Sequence, residues 1–193
     1  PPDFGTLYSG RALEFDGVTD YVVNGNNDSI RPLNTVTIAC WINCTLSGST
    51  WHTILGHADG FGDYIWLNVH SSGYVSAQIN KSSTLTYGTF QASNIIIANT
   101  WQRVVMTYDS SSGGVLYVDG VSRETESTTG AIDNDTGNLH LGMSGTSNYP
   151  FDGKMTDFQM WDKVWSESDA QYDYTHPEKL FTDNGAVTSG TTI

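Results

Sequence analysis

Three strand-like phrases in a fixed order constrain the fold of this 193-residue chain more than any other feature. They are TWQRVVMTYD at residues 100–109, VLYVDG at residues 115–120 and FDGKMTDFQMWDKVWSESDA at residues 151–170. In the first two, apolar side chains occupy alternate positions, which is the period of a half-buried β-strand. A polar, glycine-rich link of hairpin length joins them, and Asp119-Gly120 is a type I′ turn signal. These phrases predict an antiparallel β fold.

The rest of the chain favours many short strands, because it contains 20 glycines and 12% aromatic residues and little helical periodicity. One helix is predicted, where Ser166 and Asp169 form a capping-box pattern and Pro177 sets the end. Strands are predicted at residues 10–17, 20–25, 36–44, 52–58, 63–70, 74–80, 84–92, 101–109, 114–119, 138–143 and 151–162. We predict one all-β domain over residues 1–181, a two-sheet antiparallel sandwich with one short C-terminal helix, followed by a tail or linker over residues 182–193.

The three phrases resemble, in order and spacing, those of the laminin G-like and pentraxin branch of the concanavalin A-like lectin and glucanase superfamily. A fourth phrase, ALEFDGVTDYV at residues 12–22, resembles the opening strand of that branch. The similarity covers most of the chain and implies a concanavalin A-like jelly-roll sandwich. The superfamily includes sugar binders, calcium-dependent adhesion modules and glycosidases, so the resemblance does not select a ligand.

The net charge of the chain restricts the classes of partner that it is expected to bind. Eight Lys and Arg against 21 Asp and Glu give a formal net charge of -13. Such a surface repels phosphate backbones and anionic lipids, so we expect no nucleic acid partner, whereas divalent cations and neutral glycans stay open. The acidity is equally consistent with solubility alone. Since no apolar run approaches the ~20 residues that span a bilayer, we expect no membrane insertion.

The hairpin DYIWLNVH-SSG-YVSAQIN, residues 63–80, is the most informative local pattern for function. One set of alternate residues is apolar and predicts the core side: Ile65, Leu67, Val69, Val75, Ala77 and Ile79. The opposite, outward side carries Tyr64, Trp66, Asn68, His70, Tyr74, Ser76, Gln78 and Asn80. A three-residue loop over residues 71–73 pairs His70 with Tyr74 and Trp66 with Gln78 across the strands.

Aromatic rings beside planar amides suit a sugar, whose apolar face stacks on a ring while its hydroxyls find donors and acceptors. Trp41 points outward on its own strand and would extend this platform if both strands share a sheet. The candidate carbohydrate-binding residues are therefore Trp41, Tyr64, Trp66, His70, Tyr74 and Gln78. In the alternative interpretation, these aromatics stabilise the sheet by cross-strand packing or are covered by a loop such as residues 87–94.

Acidic loops suggest a bound Ca²⁺, and the resemblance implies a structural Ca²⁺ where the first and last strands meet. Asp16 and Asp20 flank a glycine turn near the first strand, and Asp157 lies in the last strand. The chain departs from the family here. Thr156 occupies the usual carboxylate position, and a shift of one residue to Asp157 reverses the direction of the side chain. The pentraxin ligand cluster is replaced by Met143-Ser144-Gly145, so a pentraxin-like double-calcium site is not expected.

The sequence lacks the full pattern of catalytic carboxylates found in the glucanases of the superfamily that it resembles. Those enzymes need a nucleophile and an acid about 5 Å apart, read as Glu-x-Asp-x-(x)-Glu on one strand. Glu14-Phe15-Asp16 begins that pattern, but the third acid is missing. A nucleophile elbow, a zinc-binding histidine pair and a P-loop are missing too. We therefore expect no enzymatic activity, and a glycosidase is the third-ranked interpretation.

The two cysteines, Cys40 and Cys44, lie in the predicted strand VTIACWINC on the side of Val36 and Ile38. Four residues of extended chain separate them by roughly 13 Å, well beyond the ~7 Å limit between bridged Cα atoms. We predict two buried free thiols. Pentraxins join their sheets by a disulfide, but the matching later position is Val105, so that bridge is lost.

Two functions from different classes stay open. The first is a non-catalytic, lectin-like module that binds a glycan or polysaccharide, appended to a secreted enzyme or displayed on a surface, and so extracellular. The second is a structural or adhesion domain of a larger extracellular or virion assembly, which binds a protein partner or belongs to a multidomain parent chain. Exposed Trp66 and Tyr64 rings favour the first, whereas covered rings with a large apolar interface elsewhere favour the second.

Overall fold

Two antiparallel six-stranded sheets form the body of the molecule. The computed structural model describes residues 12–58, 63–81, 86–133, 137–145 and 149–177, without the side chains of residues 58, 63, 64, 81 and 86–89. The first sheet contains, from edge to edge, β1 (Leu13–Asp16), β12 (Asp152–Trp161), β3 (Thr35–Cys44), β8 (Gln102–Asp109), β9 (Gly113–Val118) and β10 (Val121–Glu126). The second contains β2 (Val22–Val23), β11 (Asn138–Leu141), β4 (Trp51–Ala58), β5 (Asp63–His70), β6 (Val75–Lys81) and β7 (Thr86–Ala92). The predicted jelly-roll sandwich is confirmed.

The hydrophobic core lies between the inner faces of the two sheets, where the predicted alternation places it. Val104 and Met106 of β8 and Ile65 and Leu67 of β5 are fully buried in one cluster. Burying one such side chain stabilises the fold by about 1.5–3 kcal/mol. Because these residues alternate along their strands, the direction of every neighbouring side chain is also fixed.

Turn chemistry sets the register of the hairpins. Asp119 and Gly120 have φ angles of 56° and 73°, and Val121 pairs with Val118, as expected for the predicted type I′ turn. The strand that follows, β10, was not predicted. Its sequence VSRETE is exposed at five of six positions, so it lacks the apolar alternation by which a strand is recognised.

The α-helix α1 (Glu167–Thr175) begins at Ser166 through the predicted capping box with Asp169. It covers the outer face of the first sheet, where Ala170 packs in a small apolar cluster with Trp161, Trp165 and Tyr117. A Cβ atom at Gly120, beneath the helix, would lie 3.1 Å from the Gln171 Cα atom. The helix therefore takes up one outer face of the sandwich. A short 3₁₀ helix (Asp28–Ile30) lies between β2 and β3.

A buried cation fastens α1 to the first sheet. Arg103 of β8 is fully buried, and its Nε atom donates to Asp173 of α1 at 2.6 Å. The Arg103 Nη1 atom lies 3.0 Å from the Asp157 Oδ2 atom. Asp157 lies at a bulge in β12 and has a φ of 51°. Both carboxylates are largely shielded from water, so the three charges depend on one another.

Cys40 and Cys44 are free and buried in the main core, as predicted. Burial raises the pKa of each thiol to about 12, so both stay protonated and behave as small apolar side chains. The predicted tail over residues 182–193 lies outside the residues that the structure describes. Among those residues, no helix is long and apolar enough to cross a membrane.

Candidate functional site

The outer face of the second sheet carries a continuous row of aromatic side chains, here called the aromatic row. Its members, in spatial order, are Tyr149, Trp66, Trp51 and the pair of His70 and Tyr74. Adjacent ring centroids are 5.6 Å apart for Tyr149 and Trp66 and 5.8 Å apart for Trp66 and Trp51. His70 and Tyr74 stack at 4.2 Å with an interplanar angle of 8°. Tyr149 is 42% exposed and the other four rings are half-buried, so solvent reaches this surface.

Three neighbouring strands position these rings. Trp51 begins β4 and pairs with His70 at the end of β5, which brings their rings within 4.8 Å. The backbone N–H of His70 donates to Tyr74 at 2.8 Å across the predicted three-residue loop. Trp66 pairs with Gln78 on β6, which confirms the predicted register of this hairpin. Gly56 lies opposite Trp66 on β4, so no side chain competes for that space.

Tyr149 reaches the row from the segment before β12. The backbone N–H of Thr53 donates to the Tyr149 carbonyl at 3.0 Å. This bond forms at a bulge in β4 between Thr53 and Leu55, where the ladder to β5 is interrupted. The bulge therefore positions Tyr149 at one end of the aromatic row.

The floor of the aromatic row is polar and buried. Thr53, Asn68 and Ser76 lie side by side on β4, β5 and β6 and are exposed by 0%, 1% and 6%. The Thr53 hydroxyl accepts a hydrogen bond from Trp66 Nε1 at 3.3 Å. The Asn68 Oδ1 atom has no hydrogen-bond partner. Aromatic rings beside buried polar side chains suit a ligand that has both an apolar face and hydroxyl groups.

The His70 imidazole is oriented by the loop that follows it. Its Nδ1 atom accepts a hydrogen bond from the Ser72 backbone N–H at 3.0 Å. A neutral ring in this arrangement carries its proton on Nε2, which is therefore available as a donor. His70 thus contributes both a stacking surface and a donor to the row.

The structure brings together four of the predicted carbohydrate-binding residues: Trp66, His70, Tyr74 and Gln78. The Tyr64 side chain lies outside the described residues. Trp41 is separated from the others, because it belongs to β3 of the first sheet and is only 1% exposed. Its ring packs 5.7 Å from Tyr174 of α1. The outer faces of the two sheets point in opposite directions, so Trp41 does not extend the aromatic row.

Sequence reasoning missed two rings of the row. Trp51 lies one residue before the predicted start of β4, and extending that strand by one position would have placed Trp51 outward beside Thr53. Its partner strand still had to be known. Tyr149 lies in a loop and carries no periodic signal, so only the tertiary structure identifies it.

The acids predicted for calcium fall in two separate places. Asp16 accepts hydrogen bonds from the backbone N–H groups of Val18, Thr19 and Asp20, and Asp20 in turn accepts one from the Asp16 backbone. These bonds, chiefly those from Thr19 and Val18, lower the pKa of Asp16 to about 2. Asp16 and Asp20 therefore close their own turn.

Asp157 lies elsewhere. Asp16 pairs with Asp152 on β12, and the five residues from Asp152 to Asp157 span roughly 16 Å of strand. The Asp157 carboxylate faces Arg103 on the outer side of the first sheet. The structure thus does not bring Asp157 together with Asp16 and Asp20, and these three residues do not fit one shared calcium site. Within the described residues, no group of three or more His, Cys, Asp or Glu side chains is arranged to hold a metal.

Two histidines near the aromatic row point into the protein. His52 and His57 alternate with Thr53 and Gly56 and are exposed by 0% and 2%. Burial lowers the pKa of His52, and it lowers the pKa of His57 to about 4. Both rings are therefore neutral at physiological pH and act as core side chains.

The two antiparallel six-stranded sheets, with a helix on one outer face and the aromatic row on the other, place the molecule in the class of jelly-roll β-sandwich domains. The family model described as the concanavalin A-like lectin/glucanases superfamily, Laminin_G_3, matches residues 16–171. The chain belongs to this superfamily. No curated protein sequence matches it.

Three solved structures illustrate the shared fold. The carbohydrate-binding module CBM40 of Ruminococcus gnavus IT-sialidase, bound to α2,3-sialyllactose, has a TM-score of 0.68 and 17% identity over 83% of this chain and 96% of that one. The ligand-binding domain of botulinum neurotoxin serotype D, in complex with N-acetylneuraminic acid, has a TM-score of 0.67 and 13% identity over 86% of this chain and 44% of that one. The SAP-like pentraxin of Limulus polyphemus has a TM-score of 0.64 and 15% identity over 84% of this chain and 81% of that one.

Proposed function

We propose that this domain is a non-catalytic carbohydrate-binding module that holds a glycan or polysaccharide on the aromatic row. The observation that carries this proposal is the juxtaposition of half-exposed rings with a floor of uncharged polar side chains. A sugar ring presents an apolar C–H face to an aromatic ring and hydroxyl groups to its surroundings. The described side chains of the aromatic row and its floor include no carboxyl group, whereas glycoside cleavage needs two of them about 5–10 Å apart.

The contrast between the two outer faces supports this assignment. Aromatic residues on the first sheet, such as Trp161 and Trp165, are packed against Ala170 of α1 and serve stability. On the second sheet, Trp66 and Trp51 are half-buried and no helix covers them within the described residues. The relatives whose structures contain sialyllactose and N-acetylneuraminic acid are consistent with glycan binding on this fold. A module of this kind works outside the cell or on its surface, where polysaccharides occur.

Replacing Trp66 with Ala tests the proposal. We expect the affinity for a glycan that the parent domain binds to fall at least tenfold, because a central aromatic anchor is lost. The measurement is a glycan array followed by calorimetric titration of the best ligand. Tyr172→Ala is the matched control, since this tyrosine is 53% exposed on α1 at the other side of the sandwich. Equal affinity of Trp66→Ala and the parent would remove the aromatic row from the binding site.

Calcium binding stays a separate proposal, carried by the family resemblance and the net charge of -13. The same array, run with calcium and with a chelator, decides whether the ligand needs a metal. A lower melting temperature in chelator would support a structural Ca²⁺. Identical melting curves, together with no metal in elemental analysis, would reject it.

A second candidate function, a protein-binding or adhesion domain, is favoured by the edge of the second sheet. Val18, Tyr21 and Val23 are exposed by 69%, 45% and 46% around strand β2. Exposed apolar groups beside an edge strand suit a protein partner. Concentration-dependent sedimentation, with no ligand on the glycan array, would support this function over the first.

A further inference from the structure

We propose that the Asn68 side chain selects the ligand of the aromatic row by forming a hydrogen bond with a hydroxyl group of an uncharged saccharide. This inference rests on the proposed function and adds the chemical class of the ligand and the residue that recognises it. Asn68 lies in β5 between Leu67 and Val69, which are both buried in the core. Its side chain therefore points to the outer face, between Trp66 and His70.

The hydrogen bonding of Asn68 is incomplete in the protein alone. The side chain is 1% exposed, and its Oδ1 atom has no partner. Gln102, another buried amide, is fully engaged, because its oxygen accepts from the Ile97 backbone and its nitrogen donates to Ile95 and Asp119. A buried amide oxygen without a partner is costly. At the floor of a binding surface, a ligand can supply the partner that the protein does not.

The surroundings of Asn68 indicate an uncharged ligand. Its cross-strand neighbours are Thr53 and Ser76, which are both hydroxyl side chains. The strands of the second sheet contain two formally charged residues, Asp63 at the start of β5 and Lys81 at the end of β6. Each is five residues along its strand from the row of Asn68 and Ser76, or roughly 16 Å away.

An acidic sugar would bring its carboxylate to a floor of hydroxyl and amide groups in a chain whose net charge is -13. In the described strands of this sheet no Lys or Arg lies beside the floor, so desolvating that carboxylate there is unfavourable. A neutral pyranose avoids this cost, because it stacks on Trp51 and Trp66 and offers hydroxyls that donate or accept. A hydroxyl complements the Asn68 amide whichever of its two polar atoms faces the ligand.

The first experiment uses an array of matched pairs, in which each neutral oligosaccharide is printed beside its sialylated form. We expect the parent domain to bind neutral members and to bind their sialylated forms at least tenfold more weakly. Tighter binding of the sialylated forms would overturn the inference while leaving glycan binding intact. Failure to bind any glycan would instead reject the proposed function itself.

The second experiment replaces Asn68 with Leu, which has a similar size and no polar atoms. We expect the affinity for the best neutral glycan to fall at least tenfold. We expect the melting temperature to rise by about 2–4 °C, because an unpaired buried polar group is removed. A purely structural residue would give the opposite stability change, so the two measurements together separate recognition from folding.

Asn80→Leu is the matched control. Asn80 is 4% exposed, its Oδ1 atom also lacks a partner, and it lies on β6 four residues beyond Ser76, or roughly 13 Å away. We expect this variant to bind glycan like the parent. Retained affinity in Asn68→Leu, a lower melting temperature or failure of that variant to fold, or an equal loss of affinity in Asn80→Leu would each overturn the role of Asn68.

Discussion

Gly73 holds the end of the aromatic row through its backbone. It closes the loop between His70 and Tyr74 with a φ of 81°, a conformation that favours glycine. Its N–H donates to the His70 carbonyl, and its own carbonyl accepts from the N–H groups of Ile95 and Ile96, each at 2.8 Å. A Cβ atom at Gly73 would lie 2.7 Å from the Ile96 carbonyl oxygen. The stacked pair of His70 and Tyr74 therefore depends on the absence of a side chain here.

Gly73→Ala is expected to destabilise the domain by about 2–4 kcal/mol, which combines the cost of a left-handed alanine with the displacement of the Ile96 backbone. The measurement is urea unfolding. Gly48→Ala is the matched control, because Gly48 has a φ of 77° but an added Cβ would meet no atom within 4 Å. Equal destabilisation of the two variants would show that the close approach to Ile96 is unimportant.

Residue orientation and pairing within a hairpin were predictable from the sequence, but which strands share a sheet was not. The period-two pattern correctly placed Ile65 and Leu67 inward, so it also set the direction of Trp66. The same pattern turned Trp41 outward, yet α1 covers that face and buries the ring. Which sheet a strand joins depends on contacts between distant parts of the chain, and local alternation carries no such information.

At the level of elements, α1 is fixed to the first sheet by charge as well as by packing. Arg103 reaches Asp173 on the helix and Asp157 on β12 from a fully buried position. Its Nη1 atom also donates to the Asp157 carbonyl at 2.9 Å. One guanidinium group therefore links three elements, and its removal leaves two carboxylates without their partner.

Arg103→Met is expected to destabilise the domain by about 3–5 kcal/mol, because it breaks a buried ion pair from one side. Arg123→Met on exposed β10 makes the same chemical change at the surface and is expected to cost within about 0.5 kcal/mol. Urea unfolding of both variants provides the comparison. An Arg103→Met variant within about 1 kcal/mol of the parent would show that packing alone holds the helix.

Local signals in the sequence predicted some elements well and others poorly. The capping box of Ser166 and Asp169 and the turn at Asp119-Gly120 were both predicted, because each is encoded within a few residues. The bulge at Asp157 was not, since it depends on Arg103, 54 positions earlier in the chain. Elements whose shape depends on residues far away in the chain could not be predicted from local sequence for this reason.

At the level of the whole molecule, the burial of histidines couples stability to pH. His70 is half-buried on the outer face, whereas His52 and His57 point inward from β4. Burial lowers the pKa of His57 to about 4, and this effect outweighs a hydrogen bond with the Gly137 backbone, which raises the pKa. The folded protein therefore keeps this ring neutral over a pH range in which the unfolded chain binds a proton.

The stability of the domain is therefore expected to fall as the pH drops from about 6.5 to about 4. In this window the unfolded state binds more protons at His57 than the folded state does, so acid favours unfolding. For His57 alone the loss is about 2 kcal/mol between pH 7 and pH 5. Urea unfolding at both pH values measures this difference for the parent and for His57→Gln, in which the dependence is expected to flatten.

His176→Gln, which removes an imidazole at the end of α1 rather than in the core, is the control variant. An unchanged pH dependence in His57→Gln would contradict the assignment. His52 and His140, which are also buried and whose pKa values burial also lowers, act in the same direction, so the variant should retain part of the parent's loss.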